Sequence, residues 1–166
     1  MGKLYIRVDD RLIHGQIVTA WCVTLSIKEI IAIDNELAAN PMLQSIMVMG
    51  VPSQYKTRIV TVEQARELLK DSSDNTRLVI TRFSHVLAQL SDELHDCEHI
   101  NLGNCSRLED SVYKMASGQG RYVYFSEADR TALDSLEARG IPIICQLLPT
   151  DKQRNWETMK ANAQSL

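Results

Sequence analysis

Short apolar runs rich in β-branched residues recur along this chain, separated by longer segments with helical spacing. That alternation restricts the fold more than any other feature. The expected strands are Lys3–Val8, Glu29–Asp34, Thr57–Thr61, Arg77–Thr81, His99–Leu102, Tyr122–Phe125 and Pro142–Leu147. Runs such as LVI and IPIIC are apolar on both faces, as strands covered on both sides must be. The expected helices are Gln16–Leu25, Leu37–Met49, Val62–Leu69, Val86–Leu94, Leu108–Met115, Ala128–Arg139 and Trp156–Ala163. Thr61 with Gln64 reads as a capping box, and Ser126 and Gly140 read as the start and stop of the sixth helix. Strand–helix repetition of this kind predicts one α/β domain over 1–166, with a mostly parallel six- to seven-stranded sheet and helices on both faces.

The 166 residues suffice for a full core without disulfides or metals. A net charge of −3 makes neither nucleic acid nor an anionic membrane a natural partner. The opening MGKLYIRVDD has no run of signal-peptide length, and no stretch is long enough to span a bilayer. Cys22, Cys97, Cys105 and Cys145 form no Cys-x-x-Cys pair. Cys97, His99 and Cys105 do not match a zinc spacing, so reduced thiols and no metal are expected. No cofactor motif stands out.

In open α/β sheets, ligands bind beyond the carboxyl ends of the strands. Asp9, Asp10, Arg11 and His14 follow the first strand, and Gly15 and Gln16 open the first helix. The first N–H groups of a helix lack intrahelical acceptors and face the positive end of its dipole, so this loop favours an anion. Arg11 offers a bidentate fork for phosphate oxygens. Gly15 permits close backbone approach. Imidazole is a covalent nucleophile, and Asp9 or Asp10 can hold one ring nitrogen and so choose which one attacks. This reading presents the His14 ring outward to solvent. The plainer alternative makes His14 a surface histidine and Arg11 a partner of Asp9 or Asp10. On the residues alone, anion binding, general-base catalysis and phosphotransfer stay open. Asp34 and Asn35, Arg82 and Ser84, and Asn101 and Gly103 follow other strands and form a candidate pocket rim. Of these, Arg82 and Ser84 read better as a solvated loop. Leu43, Ile46, Met47 and Met49 read as core, as does Trp21; His85, His95 and His99 read as surface groups.

The string RVDDRLIHGQIVTAW, Arg7–Trp21, resembles the opening of the enzyme IIB subunits of the mannose–fructose–sorbose class of the bacterial sugar phosphotransferase system. The resemblance continues through AIDNELAANPMLQSIMVMGVP, through NLGN at Asn101–Asn104 and through EADRTALDSLEARGIPIICQLLPTDK. It implies a phosphohistidine–sugar phosphotransferase in which His14 accepts phosphate from a phosphohistidine on a IIA partner. His14 would then give it to a sugar entering through membrane IIC and IID subunits. Arg11 matches the family's phosphate-stabilising arginine and Asp9 its neighbouring acid. The resemblance further implies a cytoplasmic protein held at the membrane by its partners, one antiparallel strand near the sheet edge, and the option of a homodimer. Two positions depart from the pattern. Asn35 stands where the second acid of a pair is expected, and Asn104 where a second glycine is expected, which an asparagine in the left-handed region would replace. A different class of function, a domain that holds a phosphorylated metabolite without a covalent bond, uses the same loop.

Overall fold

The computed structural model describes residues 1–118 and 120–166. β1 (Leu4–Val8), β2 (Glu29–Ile33), β3 (Lys56–Val60), β4 (Arg77–Thr81), β5 (Ile100–Leu102), β8 (Ile143–Cys145) and β9 (Arg154–Asn155) form one seven-stranded sheet. Their order is β3-β2-β4-β1-β5-β8-β9, and every pairing is parallel except β8 with β9. This is the expected α/β sheet with its antiparallel strand at the edge.

The side-chain alternation of β1 decides what lies on each face. Ile6 and Val8 enter the larger core, with Leu87, Leu90, Leu133 and Leu136 from the helices on that side. Tyr5 packs on the opposite core, where Leu12, Ile13, Ile17, Trp21 and Cys22 cover Ile30, Ala32, Leu78 and Ile80. Arg7 shares the face of Tyr5 by the two-residue period of a strand. It lies 5.1 Å from the centre of the Trp21 ring.

The helices show where local chemistry overrides periodicity. The expected helix over Leu37–Met49 is two: α2 (Asn35–Ala38) and α3 (Pro41–Val48). Asn40 caps α3 by accepting from Leu43 N–H, and Pro41 takes the first helical position, where its missing donor costs nothing. α3 has no buried residue. Leu43, Ile46 and Met49 are 43%, 59% and 79% exposed, which corrects their assignment to the core, while Met47 of the same stripe is half-buried and packs against the Trp21 core. α4 (Val62–Leu69) and α5 (Glu127–Ala138) carry the capping boxes of Thr61–Gln64 and Ser126–Asp129. The segment Ser84–Leu90 winds as a 3-10 helix.

The largest departure lies between β5 and α5. The expected helix Leu108–Met115 is absent; β6 (Tyr113–Gly118) is a strand there, antiparallel to β7 (Arg121–Phe125). These strands and β10 (Gln164–Ser165), which follows α6 (Trp156–Ala161), make a separate three-stranded sheet. The strand at Tyr122–Phe125 therefore belongs to this second sheet, and β9 takes the seventh place in the first. In β6, Met115 is fully buried between half-buried Lys114 and exposed Ala116. Alternation over so few residues resembles a helical turn as much as a strand. Because Ile46 is 59% exposed, Ile46→Glu should change the unfolding free energy by less than about 0.5 kcal/mol in urea denaturation, whereas a core isoleucine would cost several times more.

Candidate functional site

β1 ends at Val8, and the next six residues turn the chain into the first helix, residues 15–24. The turn is closed by Leu12 N–H on the Asp9 carbonyl at 3.0 Å. Leu12 has φ +52°, left-handed backbone that costs a leucine roughly 1–2 kcal/mol. Its side chain is wholly buried in the Trp21 core, which offsets that cost and clamps the loop. The helix then opens with His14 O accepting from both Ile17 N–H at 3.0 Å and Val18 N–H at 3.3 Å. Over Ile17–Trp21 it is wound as a π-helix, with Cys22 N–H on Ile17 O. Such widened turns recur at functional sites. Periodicity announced the helix but carried no sign of its winding.

Asp9 is fully buried and is the centre of the loop. Its Oδ2 accepts from Arg7 Nε at 3.2 Å and Asn104 Nδ2 at 3.0 Å, and lies 3.1 Å from His14 Nε2. Its Oδ1 accepts from Arg11 N–H at 3.1 Å. Burial alone pushes the Asp9 carboxyl up. The His14 hydrogen bond, the Arg7 and His14 charges and the Arg11 N–H outweigh it and hold the carboxyl below its ordinary value. An ionised Asp9 is an acceptor only, so His14 carries its proton on Nε2. His14 Nδ1 is buried and has no partner among the described residues. The His14 side chain is 7% exposed, so the ring is not presented outward as the sequence reading had it. Arg11 is exposed and its guanidinium forms no ion pair among the described residues. A Cβ at Gly15 would meet nothing within 4 Å, leaving open space at the helix start, and Gln16 follows in the same first turn.

Three of the remaining residues, Asp10, Arg82 and Asp34, brace this loop. Asp10 N–H donates to Asn104 O at 2.9 Å, Asp10 Oδ2 accepts from Ser106 N–H at 2.8 Å, and Asp10 O accepts from Arg82 Nη1 at 2.7 Å. Arg82 Nε donates to Asp34 Oδ2 at 2.9 Å, and Asp34 Oδ1 caps α2 through Leu37 N–H. Asp34, Asn35 and Arg82 line an open cleft of about 580 Å³ with Phe83 and Leu43. Arg82 is thus a built brace and not a solvated loop residue. Ser84 is buried, with its hydroxyl unpartnered among the described residues, which also corrects a solvated reading. Asn35 reaches away from the loop and accepts from Val62 N–H at 3.0 Å. Asn101 is buried and accepts from Gln146 N–H at 2.9 Å.

Two contributors were not legible as site residues. Arg7 is a polar position inside a buried strand, and a cation in the middle of an apolar run is itself the signal. Asn104 looked like a substitute for a left-handed glycine. It has no positive φ, since Leu12 and Ser26 are the non-glycine residues with one. Its amide instead supplies a donor to Asp9. The thiols offer no rival nucleophile: burial pushes Cys22 and Cys97 up to about 12, Cys145 to about 11, and Cys105 well above its ordinary value. No group of three or more metal-ligating side chains and no helix long and apolar enough to cross a membrane occurs among the described residues.

The pairing of Arg7 and Asp9 sets two expectations. Asp9→Asn leaves a buried guanidinium without its counter-charge and should lose about 3–5 kcal/mol at neutral pH. A carboxyl whose folded value is depressed stabilises the fold above its unfolded value near 3.8 and loses that contribution as the pH falls through the lower folded value. The stability gap between wild type and Asp9→Asn should therefore narrow below about pH 3.8, measured by urea denaturation across an acid series.

Residues 4–166 match the family described as the sorbose subfamily IIB component of the PTS system. A probable phosphotransferase enzyme IIB component of Streptococcus pyogenes serotype M6 is 32% identical over 108 residues, 64% of this chain and 66% of that one. The mannose-specific EIIAB component of Escherichia coli K12 is 27% identical over 150 residues; the match takes in 87% of this chain and 44% of that longer protein. Among solved structures, the IIBSor domain of the sorbose permease from Klebsiella pneumoniae superposes with a TM-score of 0.82 at 20% identity, over 97% of each chain. The family match spans nearly the whole sequence and its fold is the one described above, so the chain belongs to the sorbose subfamily of phosphotransferase-system IIB components.

Proposed function

We propose that this protein is a phosphocarrier in sugar uptake, and that Nδ1 of His14 is the atom that carries the phosphoryl group. One observation carries the reading: Asp9 engages Nε2 at 3.1 Å, while Nδ1 has no partner among the described residues. An imidazole with Nε2–H tied to a carboxylate keeps its lone pair on Nδ1, where it is a nucleophile. The donor is a phosphohistidine on a IIA partner. The Nδ1 lone pair forms the new N–P bond as the donor's N–P bond breaks, and the bonding pair returns to the donor ring. The positive charge that the His14 ring then carries is shared with Asp9 through Nε2–H. Arg11, exposed and in no ion pair among the described residues, receives the phosphoryl oxygens, helped by the N–H groups of Gly15 and Gln16 at the helix start. In the second transfer, at the IIC and IID subunits, the phosphoryl group passes to a hydroxyl of the incoming sugar.

The fused relative supports the choice of donor: a protein named as the mannose-specific EIIAB component contains the homologous sequence within one longer chain. The covered state of Nδ1 adds a step to the mechanism. Docking must uncover the ring before it reacts, and a covered phosphoacceptor is shielded from unspecific phosphoryl donors in the meantime. The protein acts as a single IIB domain on the cytoplasmic side, brought to the membrane by its partners and needing no cofactor. Asp10, Arg82 and Asp34 serve as supports of the loop and do not touch phosphate.

Incubation with phosphoenolpyruvate, the general phosphotransferase proteins and a IIA partner should add roughly 80 Da in an acid-labile form. His14→Ala should abolish the adduct, and Arg11→Ala should slow its formation by about 10²-fold. Tight phosphate-ester binding with no covalent mass would replace this reading with non-covalent recognition of a phosphorylated metabolite at the same loop.

A further inference from the structure

We infer that Arg7 is a positioning residue for His14: seated between Trp21 and Gly103, it fixes the Asp9 carboxylate in the orientation that keeps the imidazole proton on Nε2. The inference rests on the phosphocarrier reading for its consequence but not for its test. Arg7 is 1% exposed, and each nitrogen of its guanidinium donates to an acceptor. Nε donates to Asp9 Oδ2 at 3.2 Å, Nη1 to Gln146 O at 3.1 Å and Nη2 to Leu147 O at 3.1 Å. Trp21 lies over the guanidinium and donates from Nε1 to the same Leu147 carbonyl at 2.9 Å. On Gly103, a Cβ would fall 2.6 Å from Arg7 Cζ and 2.8 Å from Nε. Gly103 has no positive φ, so the glycine answers to the space occupied by the guanidinium and not to backbone conformation.

A guanidinium pinned by three acceptors and walled in by a ring and a glycine cannot follow a moving carboxylate. It therefore holds Oδ2 at one place, and that place is within hydrogen-bond distance of His14 Nε2. A flexible lysine-type ammonium would give the charge without the geometry. Desolvation makes the charge pairing itself costly, so an arginine retained in a buried strand points to what it orders. Should Asp9 swing, or take up a proton, His14 would lose the acceptor that selects its tautomer. The Nδ1 lone pair would then be partly replaced by Nδ1–H, which cannot attack phosphorus.

The test reads the tautomer directly. In ¹⁵N-labelled protein with His14 neutral, long-range ¹H–¹⁵N correlation spectra should show the Nε2–H form in wild type. Arg7→Met should lower the ratio of Nε2–H to Nδ1–H at least about tenfold and slow phosphoryl acceptance to a similar degree in kcat, with the donor's KM little changed. Gly103→Ala, which keeps the charge and displaces the guanidinium from below, should move the ratio in the same direction. It carries the test if Arg7→Met does not fold. A wild-type tautomer ratio in either folded variant overturns the inference and leaves Arg7 as a tie for the Gln146–Leu147 turn. The spectra need no phosphodonor, so a protein that never takes up phosphate would refute the phosphocarrier reading while this test still stands.

Discussion

A carboxylate withdrawn from water must receive from the protein every hydrogen bond it gives up, or it takes a proton and ceases to be a carboxylate. Asp9 meets that requirement with donors from four places in the chain: Arg7 from β1, the Arg11 backbone, His14 before the first helix, and Asn104 after β5. Each donor constrains the others. The loop from Asp9 to Gly15 cannot be displaced as a piece, because one acid ties its start, middle and end to the neighbouring strand. The left-handed Leu12 fits the same logic: a strained residue persists where the surrounding contacts over-determine it.

The sheet order explains why these donors meet. β1 lies between β4 and β5, so its carboxyl end is flanked by Arg82 on one side and by Gly103 and Asn104 on the other. Arg82 reaches the Asp10 carbonyl and Asn104 reaches Asp9, so the His14 loop is held from both neighbouring strands. Beyond β8 the chain turns back, and the carbonyls of Gln146 and Leu147 close over Arg7. The far edge of the sheet thereby contributes to a site whose chemistry lies in its middle.

Which parts of this were legible in the sequence follows from the range of the interactions involved. β1 to β4 and the capping boxes of α4 and α5 depend on neighbours within a few residues, and their patterns are local. The adjacency of Asp9, Arg11 and His14 is local too, and their spacing after a buried strand pointed to anion chemistry. What stayed hidden spans distance. The partnership of Arg7 with Gln146 crosses 139 residues, and that of Asn104 with Asp9 crosses 95. β9 and β10 are two residues each, too short for any periodicity. α3 misled for a different reason: its apolar residues have helical spacing, but spacing gives a face and not what the face meets, and here Met47 reaches the core while Leu43, Ile46 and Met49 are left to solvent.

The covered imidazole changes how the loop has to be understood. A phosphoacceptor presented outward would need little from its surroundings beyond donors for the phosphoryl oxygens. The His14 side chain is 7% exposed and tethered by Nε2, so on the proposed function the energy that uncovers Nδ1 comes from a binding partner. The tether also limits how the ring can move: rotation about a fixed Nε2–Asp9 contact swings Nδ1 while the proton stays where it is. Breaking that contact would leave a buried carboxylate with one donor fewer, which Asp9 tolerates poorly. On the proposed function, the same four-fold satisfaction that fixes the resting loop favours, among the possible openings, the one that delivers Nδ1 with its lone pair free.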